Sequence, residues 1–280
     1  MNGADDARAA RVRDAFLEAC RLDVAVRKPG NVSLASPGHG MDAALFLASA
    51  RAAAGPLCEA GAKVGARIEA AVAATLAVAG CNTNLGIVLL AAPIAAAAER
   101  DLPLREAIGR VLDALDLDDA RAAYRAIARA QPGGLGRVEA EDVRAAPTVG
   151  LREAMGLAAA RDRIARQYAS GCADLFDVGL PALRGATTAA RVQRVYLTFV
   201  ERWPDSHIVR KFNSAVAQAV MNEARHWVER LDAGATLDAD PAFAAWDESL
   251  KRRGLNPGTS ADLTVATLMV DALTEPARTR

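Results

Sequence analysis

No stretch of this chain alternates apolar and polar residues with the β-branched and aromatic enrichment of a strand. Helical spacing of apolar residues, by contrast, recurs from Ala4 to Leu273. Aromatic residues are only 4% of the chain, so the core must be built from alanine, leucine and valine. Apolar positions at i, i+3, i+4 and i+7 predict helices over 4–22, 42–53, 56–79, 85–100, 104–112, 118–130, 151–176, 188–202, 206–231, 241–253 and 260–273. The expected fold is all-α, a bundle of roughly ten to twelve helices. The loops at 27–41, 131–150 and 232–242 are flanked by helices of similar composition, so one domain over 1–280 is expected. The glycines of Gly133-Gly-Leu-Gly136 read as a turn. No strand precedes them and no P-loop lysine follows.

A net charge of zero, with 34 residues of each sign, argues against bulk nucleic-acid binding and against a polybasic membrane patch. The longest apolar run, Ile87 to Ala98, is shorter than the roughly 18–20 residues of a membrane span. The polar opening over 1–13 lacks the apolar region of a signal peptide. Cys20, Cys58, Cys81 and Cys172 have no metal or redox spacing. They are expected to be reduced thiols of a cytoplasmic protein.

Against this apolar background, polar residues gather at loop-to-helix junctions. Asp205-Ser-His-Ile-Val-Arg-Lys211 places His207, Arg210 and Lys211 on one helix face. If this stretch opens a long helix, two cations in its first turn run against the macrodipole and suit a bound polyanion. Arg27-Lys-Pro-Gly-Asn-Val-Ser33 and Gly38-His-Gly-Met-Asp42 set Lys28, Gly30, His39 and Asp42 around a turn and a helix start. Gly80-Cys-Asn-Thr-Asn-Leu-Gly86 offers Asn82, Thr83 and Asn84 as helix caps, with Gly86 open to close approach. Gly254-Leu-Asn-Pro-Gly-Thr-Ser-Ala-Asp262 brings Asn256 and Gly258 into a turn and Asp262 into a first helical turn. Arg161 to Tyr168 reads as a solvated helix face. Capping alone explains each junction taken singly. Together they supply carboxylates for Mg2+ (Asp42, Asp205, Asp262) and cations for phosphate (Lys28, Arg210, Lys211), which is what a Mg-nucleotide site needs. A zinc site and a serine triad are not supported, because neither H-E-x-x-H nor G-x-S-x-G occurs.

In this order, Lys28-Pro-Gly30, Gly38-His39 with Met41-Asp42, Asn82-Thr83 with Gly86, Asp205 with Arg210, and Leu255-Asn-Pro-Gly258 with Ala261-Asp262-Leu263 resemble the triphosphoribosyl-dephospho-CoA synthase family. The resemblance implies an all-helical enzyme acting on ATP and a small-molecule acceptor, 3′-dephospho-CoA. The acceptor's 2′-hydroxyl attacks the anomeric carbon of ATP, adenine leaves, and the triphosphate stays on the transferred ribose. It further implies that Lys28, Arg210 and Lys211 meet phosphates, with Gly30, Asn82, Thr83, Asn256 and Gly258 on the nucleotide. Asp42, Asp205 and Asp262 would serve metal or base, and His39 or His207 would donate the proton to adenine. Mg2+ is expected with ATP, and a homo-oligomer is compatible with the reading. The chain departs from the family pattern at Asn31-Val32-Ser33, Asn84-Leu85 and Ser206-His207. Two other readings therefore stand beside the first: a related transfer to another acceptor, as in methanopterin-type cofactor synthesis, and a non-catalytic nucleotide-binding protein.

Overall fold

The computed structural model describes residues 3–133 and 142–274. Among them are fourteen α-helices and no strand: α1 (Gly3–Ala25), α2 (Ala43–Leu57), α3 (Val64–Ala79), α4 (Leu85–Ala98), α5 (Leu104–Asp113), α6 (Leu117–Ala130), α7 (Leu151–Ala158), α8 (Arg163–Ser170), α9 (Leu180–Ala182), α10 (Thr188–Arg202), α11 (Ser206–Lys211), α12 (Ser214–Asp232), α13 (Pro241–Arg252) and α14 (Gly258–Thr274). A π-helical turn, Leu175–Gly179, leads into α9. The glycine loop lies outside the described residues beyond Gly133.

Two helices form the centre. Nearly every residue of α4 from Ile87 to Ala97 is buried, as its unbroken apolar sequence requires. Most of α14 is buried as well, and it packs on α1, α4 and α10. Alanines on α4 let neighbouring backbones approach closely. Around this pair α1–α6 complete the main core, while Trp227 and Phe243 anchor a second cluster between α10, α12 and α13.

Two predicted helices, 151–176 and 206–231, are each broken in two and the short α9 is added, which raises the count above the expected range. The 56–79 helix starts instead at Val64, because Pro56 and Leu57 close α2. The side chain of Arg67 turns back there to donate to the carbonyls of Leu57 and Ala62, both at 2.9 Å. The 151–176 helix breaks before Asp162, which caps α8 by accepting from the amides of Ile164 and Ala165. The 206–231 helix breaks at Phe212, and Asn213 caps α12 through the amide of Val216.

The last break changes the meaning of the cations. Arg210 and Lys211 occupy the final turn of a six-residue helix, where the dipole favours positive charge. They do not oppose it at the start of a long one. Their presence is thus no sign of an anion at that helix N-terminus.

Candidate functional site

The first residues of α4, α8, α11 and α14 converge on one cavity of ≈ 830 Å³. A space of that size accommodates a nucleotide. Every polar junction singled out in the sequence contributes to its lining or to the layer directly behind it.

The closest contact is between α4 and α14. A Cβ built on Gly86 would lie on Oδ2 of Asp262 and 2.6 Å from its Cγ, so only glycine leaves room for this carboxyl. Asp262 lines the cavity and accepts no hydrogen bond among the described residues. Burial raises its pKa well above the usual carboxylate range, and the carboxyls of Asp23 and Asp205 add to the effect. One turn earlier on the same helix face, a Cβ on Gly258 would lie 2.5 Å from Nδ1 of His207. The imidazole therefore rests against the start of α14. Burial lowers its pKa below the ordinary 6.5, Asp205 opposing and Arg210 and Lys211 assisting.

Asp205 holds this geometry in place. One of its oxygens accepts from the amides of His207 (2.9 Å) and Ile208 (3.3 Å). The other accepts from the amide and hydroxyl of Ser260, each at 2.8 Å. The carboxylate is buried, caps both α11 and α14, and does not line the cavity. Its expected duty as metal ligand or base gives way to joining two helices.

The first junction plays a similar supporting part. Lys28 is fully buried, 3.0 Å from Asp23, and it donates to Asn31 at 2.6 Å; it has no path to a phosphate. Gly30, at φ 82°, is a hub: its amide donates to Asp247, its carbonyl meets His39 Nε2 at 2.8 Å, and a Cβ there would strike the carbonyl of Leu255 at 2.7 Å. Asn31 donates to Asn256 at 3.0 Å, and these two amides do line the cavity. His39, engaged with Gly30, does not. Asp42 is exposed and caps α2 through the amide of Leu45. Lys211 is exposed over the ring of Phe212. Of the thirteen residues that the sequence marked, Asn82, Thr83, His207, Arg210, Asn256, Gly258 and Asp262 face the cavity.

Several residues missed in the sequence belong here. Asp162 pairs with Arg210, and with Arg161 it lines the cavity, so the stretch read as a solvated helix face is part of the wall. Its cap signature, an aspartate before an apolar run, was the available signal. Asp247 is completely buried on α13 and binds the Gly30 amide (2.9 Å), Arg27 (3.0 Å) and Lys251 (3.0 Å). Replacing Asp247 with leucine strands two cations beside the Gly30 turn. A loss of about 3–5 kcal/mol is expected, visible as a lowered midpoint of urea unfolding.

Asp42, Asp205 and Asp262 do not converge as a ligand set. No group of three or more His, Cys, Asp or Glu side chains among the described residues is placed to hold a metal ion. Nor is any helix among them long and apolar enough to cross a membrane.

The family described as ATP:dephospho-CoA triphosphoribosyl transferase matches residues 9–280. A solved structure from Archaeoglobus fulgidus, described as a candidate triphosphoribosyl-dephospho-CoA synthase, superposes with a TM-score of 0.66 at 21% identity. It covers 82% of this chain and 99% of its own, and at that identity the likeness is one of fold. No curated protein sequence matches.

Proposed function

From the premise that the chain belongs to the ATP:dephospho-CoA triphosphoribosyl transferase family, we propose that the α4–α14 cavity binds ATP and that Asp262 and His207 carry out the transfer. The single observation behind this assignment is the pairing, on one face of α14, of an unengaged carboxyl with an imidazole inside a nucleotide-sized space.

The direction of the two pKa shifts gives each group its task, and it reverses what the residue types alone imply. Burial favours the protonated form of Asp262 and the neutral form of His207, so the carboxyl suits an acid and the imidazole a base. Asp262 gives its proton to the departing adenine as the bond from nitrogen to the anomeric carbon breaks. The carboxylate so formed faces the positive charge developing on that carbon. His207 takes the proton of the acceptor's 2′-hydroxyl as the new carbon–oxygen bond forms. Afterwards the proton passes from His207 to Asp262 through solvent. Arg210 is a cation available to the triphosphate: it lines the cavity, and its Nε is a buried donor without a partner. Arg161 and Arg129 are exposed cations on the same lining. Magnesium enters as part of the substrate Mg-ATP, with phosphate and water oxygens as its ligands.

Two measurements test this reading. Cys81 is the exposed cysteine of the four and lines the cavity, so Mg-ATP is expected to slow its labelling by a maleimide about tenfold or more. Unchanged labelling at saturating Mg-ATP would remove the nucleotide from this cavity. The second measurement is the pH dependence of kcat/KM. Activity requires neutral His207, so it falls as pH drops through a value below 6.5. It also requires protonated Asp262, so it falls as pH rises through a value above 3.8. His207→Gln should abolish the acid limb along with most of the rate. An acid limb that survives this substitution assigns the base elsewhere.

A further inference from the structure

Buried polar groups without partners cluster where α4 meets α14. Asn84 is 4% exposed and precedes α4; the hydroxyl of Thr75 donates to its Oδ1 at 3.1 Å, and its Nδ2 has no acceptor. Thr259, 2% exposed in the first turn of α14, has a hydroxyl with no partner, and so has Thr83. All three residues line the cavity, and the carboxyl of Asp262 lies against Gly86, two residues beyond Asn84. A buried donor or acceptor left unmade costs about 1–3 kcal/mol. Several at one junction, in residues that line one cavity, mark a place that a ligand completes.

The mixture of donors and acceptors identifies the ligand's chemistry. A phosphate offers only acceptors and would lie beside the carboxyls of Asp262 and Asp23. A vicinal diol offers both a donor and an acceptor at each oxygen, so it can satisfy an amide N–H, a threonine hydroxyl and a carboxyl together. We propose that Asn84, Thr259 and Asp262 form the subsite for the 2′,3′-diol of the donor nucleotide's ribose. This rests on the reading of the cavity as the ATP site. The diol subsite sets the anomeric carbon beside Asp262. The triphosphate is left to the arginines on the remaining lining.

Equilibrium binding of ATP and of 2′,3′-dideoxy-ATP, read by protection of Cys81 from labelling, separates the possibilities. The wild-type protein should bind ATP at least about tenfold more tightly than the dideoxy analogue. Asn84→Ala and Thr259→Val should each weaken ATP while leaving the analogue unchanged, so the preference shrinks. Two variants are used because Asn84 also begins α4, and far-ultraviolet circular dichroism confirms that each is folded. Equal affinity of the wild-type protein for both nucleotides overturns the diol subsite. Variants that weaken both nucleotides equally overturn it as well. If ATP itself gives no protection, the reading of the cavity as a donor site fails, and the diol subsite fails with it.

Discussion

Asp262→Asn is expected to lower turnover about 10²–10⁴-fold, the usual worth of a positioned acid, with ATP affinity changed less than about tenfold. Asparagine keeps the shape of the side chain and can still bond to a hydroxyl, so the cavity should fill as before. It has no proton to give to adenine and no negative charge to set against the anomeric carbon. Both losses fall on the transition state, so kcat and kcat/KM should drop together. The substitution should also relieve the native protein of a carboxyl that burial disfavours in its charged form, so thermal stability is expected to hold or rise at high pH. Turnover within a few fold of wild type, measured by product formation at saturating substrates, would remove Asp262 from the chemistry.

Gly86→Ala should damage the same step without touching the acid itself. The added methyl falls on Asp262, and 2.7 Å away it also meets Cδ1 of Ile164. Something must shift, and the carboxyl lies nearest the added methyl. A displacement of about 1 Å at a reacting group can cost on the order of 10²-fold in rate. Stability should change far less. Alanine is favoured over glycine in a helix by up to about 1 kcal/mol, which offsets much of the 1–3 kcal/mol typical of overpacking. The expected signature is therefore slow turnover in a folded protein, checked by pairing a rate assay with a thermal melt. A variant as active as wild type would show that the α4–α14 contact is not part of the working site.

How much of this could be read from the sequence differs between the helices and the site. The all-α class was legible because apolar spacing is a local signal, and the unbroken apolar stretch of α4 could only be a buried helix. The breaks at Asp162 and Phe212 do not show in the apolar spacing, which keeps its helical period on both sides; only the capping residues Asp162 and Asn213 mark them. Missing the second break carried into the chemistry. A single long helix made Arg210 and Lys211 look misplaced, whereas the six-residue α11 puts them where the dipole favours them. The polar junctions were visible as residue types, but their division of labour depends on long-range contacts. Asp205 is consumed by Ser260, 55 positions away, and Asp247 reaches Gly30 across 217. Lys28 looked like a phosphate ligand until burial paired it with Asp23. Asp262 stands out for the opposite reason: its carboxyl faces a cavity and has no hydrogen-bond partner among the described residues.

The most direct test is chromatographic detection of free adenine after the protein is incubated with Mg-ATP and 3′-dephospho-CoA. The expected result is adenine released in step with a triphosphoribosylated acceptor, with release in Asp262→Asn reduced by orders of magnitude. Folded wild-type protein that binds Mg-ATP yet releases no adenine in the presence of the acceptor would contradict the account.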